Sequence, residues 1–388
     1  MLIDGEHYAP VVRDALAALP YEVVGALLVG GSEKLRGNEH YGVPLVQALD
    51  AVEADVVVDM SDEPVLGPRE RLLWASRALA LGLPYTGADF RFDPPAFHEV
   101  GAPSLAVIGT GKRIGKTAVA GHVARLLARD RRVVVVAMGR GGPPEPELVE
   151  TPPSLDALVA LARAGRHAAS DHLETAAFAG VPTVGCRRAG GGLAGATLDS
   201  NVLEGAAAAL ALDPDLLVFD GSGAALPPVA ADARILVTSG LHDVRAGLNA
   251  YRVLVSDLVV DTGGADRHAI AAIADVPVVG AELSLRPVEP LAGRRTAVFT
   301  TGPAPTGHLD AEVVHVSRNL ARRDPLREEL ARVDAEVFLV ELKAAAIDLV
   351  AEAGIARGVE VVLAANDVVS DELDERVLEL VAWERARA

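Results

Sequence analysis

The chain has 388 residues, half of them hydrophobic, and a formal net charge of −18. That length predicts two or three domains with ample apolar surface to bury, and the acidic excess argues against a nucleic-acid partner, which needs a basic face. A single cysteine, Cys186, excludes an internal disulfide and leaves no Cys cluster for zinc or iron–sulfur binding. No apolar run approaches the roughly 18–20 residues of a membrane span, and the opening MLIDGEH lacks the basic start of a signal peptide. A soluble, cytoplasmic protein without membrane contact is expected.

Short Val/Ala/Leu runs alternate with amphipathic Ala/Leu/Arg segments from end to end, the pattern of βα units building parallel sheets. The first section reads as strands over 23–29 and 55–59, a helix over 68–81 and a short strand near 84–86, closing in the turn-rich stretch 89–95. It is expected to be a small α/β domain of its own, over 1–98. Two polar clusters lie in it, DGEHY over 4–8 and SEKLR over 32–36. His7, Lys34 and Arg36 are its candidate substrate contacts, although a capped turn would account for His7 equally well.

The second section, expected over 99–290, begins with the apolar run 103–108, then GTGKRIGKT over 109–117, then a helix-like stretch over 118–129. A strand that delivers the chain to a glycine turn just before a helix is the setting of a phosphate-binding loop. Backbone N–H groups point inward there, and the helix N-terminus adds partial positive charge. Gly109, Thr110, Gly111, Lys112, Arg113, Ile114 and Gly115 would form the cradle, Lys116 would reach the β- and γ-phosphates, and Thr117 would ligate Mg²⁺. Thr110 stands where the strict pattern has glycine, but GTxxxxGKT is still a nucleotide loop. Of the 36 Lys and Arg residues only Lys34, Lys112, Lys116 and Lys343 are lysine, and two of these lie in the loop. Where arginine supplies nearly every cation, a retained lysine points to a need for a compact ammonium, as at a phosphate.

A strand over 132–138 runs into MGRGGPPEPE over 138–147, whose glycines permit close backbone approach and whose Arg140 can stabilise charge on a transferring phosphoryl group. Glu145 and Glu147 are candidates to complete a metal shell; a solvated surface loop is the plain alternative. Helices over 155–164 and 171–179 and a strand over 182–185 lead to CRRAGGGLAG over 186–195, in which Arg187 and Arg188 beside a glycine-rich turn suit a second anion. The strand over 215–219 ends at Asp220-Gly-Ser-Gly, in keeping with a Walker-B carboxylate holding Mg²⁺ opposite Thr117. Strands over 233–238, 258–260 and 277–279 complete a doubly wound, mostly parallel sheet of the P-loop NTPase type, with Asp261 and Thr262 as candidates for adenine contact. After a pause over 288–295 comes a last α/β section over 291–388, with strands over 297–299, 312–316, 336–340 and 360–363. It either continues the central sheet or stands apart. Lys343 follows its third strand, a usual place for a functional residue in open α/β sheets. Lys112 and Arg113 are cations that nucleotide binding alone does not require, which points to a second phosphorylated ligand beside ATP.

Six segments in this order, DGEHY, GTGKRIGKT, MGRGGPPEPE, RRAGGGLAG, DGSGAALPP over 220–228 and ELKAAAID over 341–348, resemble the cyclic 2,3-diphosphoglycerate synthetase family across nearly the whole chain. The resemblance implies an ATP- and Mg²⁺-dependent ligase that closes 2,3-bisphosphoglycerate into its cyclic pyrophosphate and releases ADP and phosphate. It implies Lys112, Arg113, Arg140, Arg187, Arg188 and Lys343 as the residues that neutralise the substrate, with Lys116 on the γ-phosphate and Mg²⁺ on Thr117 and Asp220. The expected partner is this small metabolite, with a homodimer as the candidate assembly. A dethiobiotin-synthetase-like ligase shares the loop but has no use for the extra cation pairs. A nucleotide-switched assembly ATPase would carry a signature lysine where this chain has Gly111, and a metallochaperone would carry Cys/His clusters.

Overall fold

The computed structural model describes residues 1–31 and 33–382, and the chain forms two compact units. The first comprises Met1–Ala96 together with two later segments, Asp243–Val255 and Asp266–Asp275. Its strands are short: β1 (Leu2–Ile3), β2 (Ala26–Leu28) and β3 (Leu45–Val46) form one parallel sheet, and β4 (Val57–Val58), β5 (Tyr85–Thr86) and β6 (Arg91–Phe92) form a mixed one, with β6 antiparallel to β5. A bridge between Leu2 and Asp59 links the two. Helix α1 (Ala9–Ala18), with Pro10 in its first turn, turns Val12 and Leu16 onto Ile3, Ala26 and Tyr41. Helix α2 (Pro68–Ala80) packs on the later helix Asn249–Leu254. The unit's opening stretch ends at Ala96, and its two later segments lie within the span 99–290 that the sequence assigns to the P-loop section.

The second unit holds the rest of the chain. Strand β7 (Ser104–Gly109) is buried at all six residues, and α3 (Lys116–Leu127) follows it. Then come β8 (Val133–Gly139), β9 (Glu147–Val149), α4 (Leu155–Arg163), α5 (Asp171–Ala179), β10 (Thr183–Ala189), β11 (Asp199–Ser200), α6 (Val202–Leu210), β12 (Leu216–Asp220), β13 (Ala233–Thr238), β14 (Leu258–Asp261) and β15 (Val278–Gly280). They form a nine-stranded sheet in the order β11-β10-β8-β12-β7-β13-β14-β15, with β9 paired to β10; all neighbours are parallel except at β9 and β11. The near-continuous Val/Leu/Ile runs of β7, β8, β12 and β13 are those of strands covered on both faces. From β7 the chain crosses to β8 on the far side of β12, so the order reverses at β7, and the carboxyl ends of these strands frame the crevice where such sheets bind ligands.

The last section forms a sheet of its own, in the order β16 (Glu282–Pro287), β20 (Glu360–Val369), β19 (Val337–Glu341), β17 (Arg295–Phe299) and β18 (Glu312–Ser317). It shares cores with the P-loop section. Phe299, Phe338 and Ile347 pack with Leu158 and Leu173 of α4 and α5, while Val368, Leu373 and Val377 join Val119 and Val123 of α3. The expected boundary after 290 therefore cuts a sheet, because β16 is already its edge strand, and the two sections make one compact unit.

Candidate active site

The phosphate-loop geometry follows from its glycines. Gly115, at φ 75°, is the N-cap of α3, and a Cβ there would lie 2.6 Å from Leu283 Cδ1. Gly111 has the His242 ring against it, with a Cβ only 2.4 Å away, while His242 Nε2 lies 3.0 Å from the Lys112 carbonyl. That carbonyl can only accept, so Nε2 carries the proton. Arg113 adopts a left-handed conformation (φ 63°), uncommon outside glycine and found where a loop is held by its surroundings. Thr110, in the position of the missing glycine, bonds the Thr238 hydroxyl at 3.0 Å and is buried. Thr262 donates to the Ile114 carbonyl at 2.9 Å, so it touches the loop backbone, and Asp261 accepts from the backbone of Gly263 and Ala265.

Lys116 is buried and forms an ion pair with Asp220, at the end of β12. Burial pushes the Asp220 carboxyl above its usual range, opposed by the Lys116 ammonium. The second carboxylate oxygen, Oδ2, is buried without a hydrogen-bond partner, a costly state unless a cation or its water meets it. This fits Mg²⁺ in the P-loop manner. Mg²⁺ keeps several waters and takes one or two protein oxygens plus phosphates, so a site of this kind needs few protein ligands. Among the described residues no three His, Cys, Asp or Glu side chains gather as a metal cage. Glu147 pairs with Arg166, and Glu145 is exposed.

The cations form a second cluster around the tight turn at Ser222–Ala225. Gly223 (φ 60°) is so close to them that a Cβ would lie 3.1 Å from Arg140 Nη2 and 3.8 Å from Lys112 Cγ. Arg188 reaches the same turn, donating to the Ser222 carbonyl at 2.8 Å and to the Gly190 carbonyl at 2.6 Å, and its Nε is buried without a partner. Its guanidinium titrates below the usual range through burial and then through Arg140. The structure does not bring Arg187 and Arg188 together as one clamp. The strand, expected over 182–185, continues through both, and consecutive strand residues face opposite sides. Arg187 is exposed, its backbone N–H bonded to Asn201 Oδ1 at 2.7 Å. The neighbouring Gly142 passes so near that a Cβ would fall 2.0 Å from the Cys186 carbonyl oxygen, so the 139–146 loop closes on β10 only as glycine.

Lys343, beyond β19, forms an ion pair with Glu174 of α5. Beside it, Glu341 accepts from Asn366 Nδ2 at 2.7 Å and from the Thr301 backbone at 2.8 Å. The Asp171 charge acts on Asp220, Glu174, Lys343 and Arg188 alike. Asp171, Glu174 and His242 were not singled out from the sequence. Their partners lie far along the chain, 169 residues in the case of Lys343 and Glu174, and no local spacing marks them. In the first unit, Asp4 accepts from His7 Nδ1 at 2.8 Å and from the Glu6, His7 and Asp62 backbones, so His7 closes a capped turn. Lys34 stands 3.9 Å from Glu6 and over the Tyr8 ring; Arg36 is exposed, and Ser32 lies outside the described residues.

Comparisons with known proteins bear on this arrangement. Models of the cyclic 2,3-diphosphoglycerate synthetase N-terminal, P-loop and C-terminal domains match residues 1–93, 104–275 and 287–367. The cyclic 2,3-diphosphoglycerate synthetase of Rubrobacter xylanophilus is 46% identical, over 98% of this chain and 96% of the relative. Those of Thermococcus kodakarensis and Pyrococcus furiosus are 40% and 38% identical, each over 98% of this chain and 97% of the relative. Among solved structures, LpxK from Aquifex aeolicus in complex with ATP is a distant likeness, at 16% identity and a TM-score of 0.44 over 74% of this chain and 90% of that one. With three domain models matched in order and relatives aligned almost end to end, the chain belongs to the cyclic 2,3-diphosphoglycerate synthetase family.

Proposed function

We propose that the protein uses ATP to close 2,3-bisphosphoglycerate into cyclic 2,3-diphosphoglycerate. The observation that carries the reading is the second cationic cluster, Lys112, Arg140 and Arg188, gathered at one turn beside the Lys116–Asp220 pair of the phosphate loop. A nucleotide alone has no need of it, and the names of the relatives supply the ligand that does.

In the proposed course, an oxygen of one substrate phosphate attacks Pγ of ATP and ADP leaves. An oxygen of the other substrate phosphate then attacks the activated phosphorus, breaking its bond to the bridging oxygen. Inorganic phosphate departs, and the ring P–O–P closes. Side chains need form no covalent bond, so orientation and charge neutralisation supply the rate. Lys116 would hold the γ-phosphate, Lys112, Arg113, Arg140 and Arg188 the substrate, and Lys343 the phosphate nearest α5, with Arg187 at the rim. Thr117 and Asp220 would hold Mg²⁺, which neutralises phosphate charge when bound; Glu145 is the candidate third oxygen. His7, Lys34 and Arg36 are the first unit's proposed contribution.

Phosphorus NMR of the protein with Mg-ATP and 2,3-bisphosphoglycerate tests this directly. Paired pyrophosphate resonances of a ring, appearing with ADP and phosphate, are expected. ATP consumption without a ring would overturn the substrate, and no turnover of any kind would overturn the enzyme reading.

A further inference from the structure

Glu174 is 6% exposed and sits in the first turn and a half of α5, where its only ion-pair partner among the described residues is Lys343. The charged groups around it are unevenly distributed. Lys343 and Glu341 face it from the end of β19, and Asp171 faces it from its own helix. Strand β8, packed beneath α5, carries no ionisable side chain. On β10, Arg188 is committed to the Ser222 and Gly190 carbonyls; on α3, Lys116 is paired to Asp220 and Arg125 binds the Phe178 carbonyl at the far end of α5. Remove Lys343, and Glu174 is a buried carboxylate facing two others.

Resting on the proposed substrate, we propose that Glu174 is a positioning residue for Lys343 whose partnership is exchanged during binding. In the free protein it holds the ammonium at the site; when a substrate phosphate draws the ammonium away, Glu174 takes a proton from solvent. Binding of the bisphosphate is thereby coupled to proton uptake. The physical reason is that a buried carboxylate without a counter-charge is more costly than a buried carboxylic acid. Burial already pushes the Glu174 carboxyl up to about 7 while Lys343 opposes it, so loss of that opposition leaves burial, Asp171 and Glu341 all acting in one direction.

The test is calorimetric titration of the full-length protein with 2,3-bisphosphoglycerate, without ATP, at pH 8 in buffers of different ionisation enthalpy. The slope of observed heat against buffer enthalpy gives the protons taken up. Protons exchanged by the ligand are common to all variants, so the comparison is between proteins. Wild type is expected to take up close to one proton more than Glu174→Gln, whose amide cannot titrate. Affinity of the wild type alone should fall with rising pH above 8, by up to about tenfold per unit. Lys343→Met provides a second arm: Glu174 is then protonated before ligand arrives, and the extra uptake should vanish there too. A purely structural Glu174 would lower the melting temperature without changing the proton count, so equal counts in wild type and either variant overturn the inference and leave the substrate standing. Failure of the wild type to bind 2,3-bisphosphoglycerate overturns both.

Discussion

Replacing Lys116 by Met probes catalysis and stability through one pair of atoms. The lysine side chain is 7% exposed and its partner Asp220 is 0% exposed. Removing one member of a buried pair strands the other charge, at a cost of about 3–5 kcal/mol. At a few degrees per kcal/mol for a unit of this size, the melting temperature should fall on the order of 10 °C at pH 8. The pH dependence has a definite sign. Folding raises the Asp220 carboxyl through burial, and Lys116 is the charge that opposes this. A carboxyl raised by folding contributes stability that is present below its unfolded value, about 3.9, and is lost as pH rises through its folded value. Lys116→Met should therefore melt well below the double variant Lys116→Met/Asp220→Asn at pH 8 and converge with it toward pH 4. Turnover should drop by on the order of 10²–10³ or more in both, since a charge at the reacting phosphate is gone in each. Melting followed by circular dichroism across pH 4–8, with ADP release as the activity assay, reads both effects. Equal melting temperatures for the single and double variants at pH 8 would refute the reasoning, because Asp220 would then carry no penalty when alone.

Two further outcomes follow from the packing around β10. Arg188→Ala should lower kcat at least tenfold by releasing the Ser222 and Gly190 carbonyls that fix two site loops, whereas Arg187→Ala, at an exposed position, should raise the KM for 2,3-bisphosphoglycerate with kcat nearly unchanged; steady-state kinetics in which both variants lose kcat alike would contradict the opposite facing of the two side chains. Gly205→Ala in α6 should destabilise by about 1–3 kcal/mol despite the better helix propensity of alanine, because its Cβ would meet Cys186 Sγ at 2.1 Å. Cys186→Ala in the same background should restore most of the melting temperature, and a Gly205→Ala protein that melts above wild type would show the contact to be wrong.

The phosphate loop could be read from residues alone because everything that makes it, the apolar strand, the glycines, Lys116 and Thr117 at the helix start, lies within 104–127. The same locality made the parallel sheet legible, since strands covered on both faces must be apolar throughout. Strand ends were less legible. Pairing with β8 carries β10 through Arg187 and pairing with β11 carries it on through Arg188 and Ala189, past the expected strand end at 185, and that extension by a few residues puts the two arginines on opposite faces.

What only the tertiary structure decided are the pairings between distant segments. Lys343 on Glu174, Lys116 on Asp220, His242 against Gly111 and the inclusion of Asp243–Val255 and Asp266–Asp275 in the first unit each join residues that no periodicity relates. Propensity and hydrophobic pattern act over one or two turns of chain and so specify elements and loops. The partner of a buried charge is set by which elements the closed cores bring together. The chain alone therefore marked which cations are candidates for a phosphate, and the fold determined which carboxylates pair with two of them, Asp220 with Lys116 and Glu174 with Lys343.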